Sequence, residues 1–490
     1  MKCIVDAIVK EVTPQINIYE LDDLDFNTIL MKTSLLFKDL FSEVMNSILT
    51  KIDDFILHSQ HRANYEPRRI IERTLYTLNG PVPIRRRYYK HVQSKDHKFL
   101  LDELLNINSN MRVSEDITQL CAGLNGMGLS YRDIANVLEL MLGEQALSHQ
   151  GVRDHTMAIA EKLQAIDKAK ELDTINTLNR KKVPILFIEA DGFWIHEQKK
   201  RTKRKKKNKD RFEAYTVVVH EGWEHRHKKD YQLINSQFFT AVKSEDKEQI
   251  WDTVRESLYW TYEDLDNTII IINGDGAPWI RAGVGYFGKA IYQYDRFHVA
   301  RDLRLCLKKF PELAKKAQKA LETDEVWELH PILAEALSKV SIDDTKLKEQ
   351  LVQMISRIES NQEFIVDYRK RIDKTINNFI FLRGMGAAES SVKRFKKRMK
   401  GVGKAWSING ANAMIIILAK YFSGTFGHYL NAKKPELIEQ KHENPPLSAA
   451  QSPTTIKGKK LGNGAVRGGI VQLRRCYTQI GNMLQRMSSC

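Results

Sequence analysis

The chain has 490 residues, too many for one ordinary core, and its 42% hydrophobic and 28% charged content is that of a globular protein. A formal net charge of +16 points to a polyanionic partner, nucleic acid first. No apolar run reaches the roughly 18 residues of a membrane span, and five scattered cysteines without a CxxC pair argue against a disulfide framework or zinc ribbon.

The first residues, Met1 to Asp6, lack the apolar core and cleavage site of a secretory leader, so a reducing cytoplasm, with nucleoid association, is expected. Residues 1–60 read as helical, since Leu30, Leu35, Leu36, Phe37, Leu40, Phe41, Val44, Met45 and Ile48 recur at helical spacing. A hairpin follows. Arg73–Thr77 is one strand, Leu78-Asn79-Gly80-Pro81 the turn and Val82–Tyr89 the return, carrying Arg85, Arg86 and Arg87. Those arginines fit two roles, phosphate contact or the charged edge that keeps a solvated strand from aggregating.

Residues 111–180 read as a helical DNA-binding region. A helix covers Ser114–Leu124, Ser130 caps Tyr131–Leu142, and Ser148 caps a third helix that begins His149-Gln150-Gly151-Val152-Arg153. The pattern fits helix-turn-helix geometry, with His149, Gln150 and Arg153 as candidate DNA contacts; any small helical bundle carries similar caps.

Strands begin near Lys182. Val183–Ala190 ends in Asp191, Tyr215–Val219 and Gln232–Thr240 follow, Lys243–Tyr262 is an amphipathic helix, Thr268–Ile272 runs into Asn273-Gly274-Asp275-Gly276, and Ala290–Tyr294 is a shorter strand. Three strands, a helix and a further strand predict an α/β, ribonuclease-H-like catalytic core. Residues 299–383 read as an all-helical insertion, residues 384–432 as the final core helices, and residues 433–490 as a flexible basic tail with a short helix at Val471–Met487. The organisation expected is 1–110, 111–180, 181–298, 299–383, 384–432 and 433–490.

Two strands end in Asp-Gly, at Asp191 and Asp275. Alternation puts Ile185, Phe187, Glu189 and Asp191 on one face. Asp-Gly is also ordinary turn chemistry, but carboxylates at sheet ends suit hard divalent cations. Within Gly384–Lys400, Ala388, Val392, Phe395 and Met399 form an apolar helical stripe, and Glu389, Lys393, Lys396 and Lys400 form a basic stripe with one acid. That helix could aim Glu389 at the metals and its lysines at phosphates; an exposed charged face with an i,i+4 Glu–Lys pair is the alternative. Asp191, Asp275 and Glu389 would hold two Mg²⁺ or Mn²⁺ ions about 4 Å apart, which align and neutralise a phosphodiester transfer. The run from Lys199 to Arg211 is the densest charge in the chain. Its Lys199, Lys200, Arg201, Lys203, Arg204, Lys205, Lys206, Lys207 and Lys209 are candidate phosphate contacts, or a merely solvated tip.

Together, Ile188-Glu189-Ala190-Asp191-Gly192, Ile272 through Asn273-Gly274-Asp275-Gly276-Ala277-Pro278-Trp279 to Ile280, Asp295-Arg296-Phe297-His298, and Glu389 through Trp406-Ser407 to Ala411 resemble the ISLre2-type insertion-sequence transposases, a DDE group also catalogued as an uncharacterised, UPF0236-like family. The resemblance runs from near residue 75 to about residue 425. It implies a ribonuclease-H-like domain with a helical insertion, Asp191, Asp275 and Glu389 as metal ligands, and Asp295 and His298 as accessory active-site residues, like the Asp-x-x-His element of Mutator-type transposases. Trp279 and Trp406 match aromatic positions of the family. Where that pattern has glycine and then a polar ring or amide after the glutamate, this chain has Ser390-Ser391.

The expected activity is Mg-dependent cleavage and strand transfer at DNA ends. Its partners would be the element's terminal inverted repeats and target DNA, bound by a homodimer or higher oligomer, with no membrane. The alternatives are a transposase-derived DNA-binding protein without catalysis and a metal-dependent nuclease that cuts but does not join.

Overall fold

The computed structural model describes residues 9–10, 25–108, 111–172, 180–198, 211–227, 230–242, 249–373, 381–401 and 404–431. The basic run Lys199 to Lys209 and the tail from 432 lie outside these. The chain divides into two compact units, Met1–Thr156 and Met157–Cys490. Among the described residues, no helix is long and apolar enough to cross a membrane.

In the first unit, Asp25 caps the 33-residue helix α1 (Phe26–His58) by accepting from the Asn27 and Thr28 amides. The hairpin is longer than periodicity suggests. Strand β1 (Tyr65–Thr77) pairs antiparallel with β2 (Gly80–His91), which takes a two-residue partner, β3 (His97–Lys98). Helix α1, β2 and the short α2 (Leu100–Leu104) enclose a core of Leu49, Ile56, Val82, Ile84, Tyr89, Leu100 and Leu101.

This packing turns the hairpin arginines inward. Arg86 is buried and paired with Asp102, its charge held by desolvation below the usual arginine range, to about 10. Arg87 reaches Asp53 and Asp54, each at 2.7 Å. Only Arg85, paired with Glu72 at 2.9 Å, stays exposed. Of Arg85, Arg86 and Arg87, expected to grip phosphate, Arg86 is buried and Arg87 is partly exposed, and both side chains hold the hairpin to its own helices.

Three helices follow: α3 (Glu115–Met127), α4 (Tyr131–Leu142) and α5 (His149–Leu172). Ser130 and Asp133 close a reciprocal capping box on α4, as the sequence suggests, and Ser148 Oγ accepts from the Gly151 amide. At the start of α5, His149 and Gln150 are exposed and Arg153 is half-buried, with Gln150 and Arg153 both on Asp154 at 3.1 Å.

The second unit is built on a five-stranded mixed sheet. Its strands are β4 (Ile185–His196), β5 (Arg211–His220), β8 (Gln237–Val242), β9 (Ile269–Gly274) and β10 (Lys289–Tyr294), in spatial order β10-β9-β4-β5-β8. A side hairpin, β6 (Trp223–His227) and β7 (Asp230–Leu233), interrupts the run expected to be one strand at Gln232–Thr240, because Asn235 turns the chain with φ +50°. The pairs β4–β5 and β5–β8 are antiparallel, and β4–β9 and β9–β10 parallel. Helix α6 (Gln249–Thr261) supplies the crossover to β9.

One face of the sheet is mainly apolar. Leu186, Ile188, Val217, Val219, Ile270 and Ile272 pack against Trp251, Val254 and Leu258 of α6. The same core continues into α8 (Arg296–Cys306), α9 (Pro311–Thr323), α10 (Leu329–Ser338) and α11 (Thr345–Ile365). Between β9 and β10 lies the one-turn α7 (Pro278–Ala282). The opposite face carries Ile185, Phe187 and Ile271 under Trp223 and Tyr368. Towards the other end of that face lies α12 (Ala387–Met399), followed by α13 (Ile408–Phe422) and α14 (Phe426–Asn431).

Candidate active site

The carboxylates gather at one level of the sheet. Parallel pairing runs from Ile185 with Ile269 to Glu189 with Asn273. Asp191 and Asp275 each come two residues later, so they leave neighbouring strands on the same face, strands being spaced about 4.8 Å apart. Tyr294 pairs with Gly274, which sets Asp295 beside Asp275, and the Asp295 amide donates to Gly274 O at 2.8 Å. Asp295 just past β10, Asp275 just past β9 and Asp191 within β4 form a row at this level.

Asp191 does not end its strand, as its Asp-Gly sequence suggests. Pairing with β5 continues to His196, and Trp406 then adds to the strand, its amide donating to His196 O at 2.9 Å. Asp191 is therefore buried at 9% exposure within the strand. Burial raises its carboxyl above the ordinary range; the Lys396 ammonium and the Gly192 amide pull it down, and the Asp275 charge pushes it up again. Lys396 Nζ lies 3.8 Å from Asp191 Oδ2.

Asp275 sits on the turn that leaves β9 and is exposed. Glycine is needed on both sides of it. A Cβ on Gly274 would stand 2.5 Å from Ile280, and Gly276, at φ +94°, would place one 2.8 Å from the Tyr294 ring. The Tyr292 hydroxyl clamps the turn, accepting from the Gly276 amide at 2.9 Å and donating to Gly274 O at 3.0 Å. Beneath it, Trp279 packs edge-on to Tyr215 and accepts at its carbonyl from Trp251 Nε1 at 2.6 Å.

Asp295 caps α8 through the Phe297 amide at 2.9 Å and holds His298 Nδ1 at 2.8 Å. That hydrogen bond, with help from the Asp191 charge, raises the imidazole above its ordinary value against the effect of burial.

Glu389 lies half-buried in the first turn of α12. The stripe Ala388, Val392, Phe395 and Met399 is buried, as its spacing predicts. Lys393 is exposed, and Lys400 lies 5.9 Å from the Phe193 ring centre. Glu389 and Lys396 are seven residues apart, so they share a helix face about 10 Å apart along the axis. Among the described residues, no three His, Cys, Asp or Glu side chains stand gathered as a ready metal site. The structure pairs Asp295 with His298 and sets Asp191 within reach of the charges of Asp275 and His298; Asp191, Asp275 and Glu389 do not form a closed cage.

Sequence reasoning marks Glu189 only as a neighbour of Asp191. In the fold it is fully buried. Its Oε2 accepts from the Ala388 amide at 3.0 Å and from Asn273 Nδ2 at 3.3 Å, and His220 Nε2 stands 3.5 Å from Oε1. The alternation that aligns Glu189 with Asp191 is readable along the chain; the approach of β5 and α12 is not.

Behind this row lies a cavity of about 510 Å³, lined in part by Asn273, Arg296, Asp324, Asp367, Tyr368 and Arg369. Its charges are spent on one another: Arg296 pairs with Asp324, and Arg369 with Asp367 at 2.6 Å.

A family model described as an uncharacterised protein family, UPF0236, matches residues 21–435. The chain belongs to that family. A UPF0236 protein in the vanSb 3′ region of Streptococcus gallolyticus is 28% identical over 406 residues, 82% of this chain and 84% of the relative. A UPF0236 protein of Caldanaerobacter subterraneus subsp. tengcongensis is 23% identical over 339 residues, 68% of this chain and 65% of the relative. The latter's name joins eleven locus designations. A second protein of that organism is 23% identical over 337 residues, 67% of this chain and 65% of its own length.

Proposed function

We propose that this UPF0236 protein is a DDE transposase of the ISLre2 type, which cuts the ends of an insertion sequence and joins them to target DNA. The observation that carries the reading is the nearness of Asp191, within β4, to Asp275, on the turn that leaves the adjacent parallel strand β9 just past the Glu189–Asn273 pair, close enough for their charges to interact. Three antiparallel strands, a crossover helix and two strands parallel to the first support a ribonuclease-H-like core with α8–α11 as its helical insertion. The eleven locus designations under one relative's name are what an element that copies itself around a genome would produce.

The donors have the chemistry a divalent ion takes, although among the described residues no three of them are gathered. Asp191 and Asp275 offer hard carboxylate oxygens side by side, and the raised Asp191 carboxyl with an ammonium 3.8 Å away marks a place that favours a cation. Asp191, Asp275 and, from the α12 face shared with Lys396, Glu389 would hold Mg²⁺ or Mn²⁺. When bound, the ions would supply Lewis acidity to the scissile phosphate and lower the pKa of an attacking water or 3′-hydroxyl. Lys396 neutralises Asp191 before DNA arrives. Asp295 fixes His298 by Nδ1, leaving Nε2 to exchange a proton near the sheet edge. The α5 start and the basic run from Lys199 would grip the terminal repeats and target as a dimer or larger assembly.

The test is joining of pre-cut ends to a target plasmid with Mg²⁺. Asp191→Ala or Asp275→Ala is expected to reduce joined product at least about 1000-fold while end binding survives. Nicked DNA without joined product would identify a nuclease, and binding without chemistry in the wild type a DNA-binding descendant.

A further inference from the structure

We infer that Glu189 is a positioning residue, which fixes the first turn of α12 against the sheet and so sets where Glu389 stands. The part concerning metal rests on the function proposed above; the part concerning the helix does not.

A carboxylate at 0% exposure has lost its water, and an apolar side chain would fill that space without this loss. Here Oε2 is hydrogen-bonded, while Oε1 faces His220 Nε2 at 3.5 Å without a hydrogen bond. Oε2 meets the Ala388 amide at 3.0 Å, and the Ala387 amide also bonds the carboxylate. These are the first two helical residues of α12, whose amides have no partner within the helix. The positive end of the helix favours an anion there.

The other partners come from the sheet. Asn273, two residues before Asp275, donates to Oε2, and His220 of β5 faces Oε1. His220 Nδ1 lies 3.2 Å from both the amide nitrogen and the carbonyl oxygen of Gly222, which holds the ring with Nε2 facing the carboxylate. The donors that converge on this carboxylate thus come from both the α12 start and the sheet. Gly386, before the helix, sits at its N-cap without a capping side chain. Glu189 therefore does from β4 what an N-cap residue does locally, and it ties the α12 start to the strands that present Asp191 and Asp275. Glu389 follows Ala388 directly.

The experiment uses the full chain with Glu189→Gln, which keeps the shape and removes the charge. Hydrogen exchange at the first turn of α12 is expected to speed up at least about tenfold, with exchange in β4 and β9 unchanged. Mn²⁺ affinity, read by electron paramagnetic resonance, is expected to fall several-fold. Adding Glu189→Gln to Glu389→Ala should weaken it no further, because both act on one ligand. Unchanged exchange in α12, exchange raised throughout the sheet, or reductions in affinity that multiply would each overturn the inference. If Glu189→Gln does not fold, Glu189→Asp keeps the charge but shortens the reach, and the same three readouts apply. A wild-type chain that binds no Mn²⁺ would sink the metal reading, and exchange at α12 would still decide the role of Glu189.

Discussion

At the scale of single residues, the candidate site shows how neighbours assign unlike tasks to like side chains. Asp191 is buried beside a lysine, Asp275 is exposed on a glycine-flanked turn, and Asp295 is spent on a helix cap and an imidazole. The Asp295–His298 pair predicts a pH dependence. His298 is held above its ordinary value of 6.5, by the Asp295 hydrogen bond first. A raised folded-state value means the pair stabilises the fold fully below the unfolded imidazole's value, and the contribution is lost as pH climbs through the folded one. Asp295→Asn keeps the α8 cap, since asparagine caps as well as aspartate. Its thermal destabilisation should be larger at pH 6 than at pH 9; a cost independent of pH would show that the pair is not charged.

At the scale of elements, α12 is the part on which the site's geometry turns. Its start is held by Glu189, and its end by the Trp406 indole, which donates to Met399 O at 2.9 Å. Its middle is held by Phe395, fully buried against the rings of Phe422 at 4.9 Å and Phe238 at 6.1 Å. Removing a buried aromatic ring loses both its transfer from water and its packing. Phe395→Ala should therefore cost about 3–5 kcal/mol in urea unfolding of the second unit. A loss below about 1 kcal/mol would mean that α12 is anchored at its ends alone.

At the scale of the whole molecule, the excess of +16 is not one pool of charge. Arg86 and Arg87 are paired with acids of the first unit's own fold, and Arg86 is buried there. Replacing Lys203, Arg204, Lys205, Lys206 and Lys207 by glutamine should flatten the salt dependence of DNA binding, by about 0.9 in log–log slope for each phosphate that is no longer neutralised. Arg86→Gln should leave that slope unchanged and destabilise the first unit by about 3 kcal/mol, because it takes from Asp102 its nearer cation and leaves only Arg73, at 3.8 Å. Anisotropy titrations across salt, with melts of both proteins, separate these outcomes; a slope that falls with Arg86→Gln would return that residue to the DNA surface.

Features set by neighbours along the chain are legible before any packing is known. The Ser130 cap, the helices at Tyr131–Leu142 and from His149, the buried stripe of α12 and the glycine-flanked Asp275 turn follow from local propensity, from period and from backbone freedom. Family membership is legible in the same way, because motif residues keep their spacing. Features that depend on register and on pairing across distance arise only when the elements have packed. Packing carries β4 through Asp191 to His196, since β5 and Trp406 supply hydrogen-bond partners where the Asp-Gly pair suggests a turn. It turns Arg86 and Arg87 inward, since Asp102 and Asp53 sit opposite them only once α1 and α2 are in place. It makes Glu189 the anchor of a helix about two hundred residues away, because a buried carboxylate is tolerated only where donors from other elements converge on it.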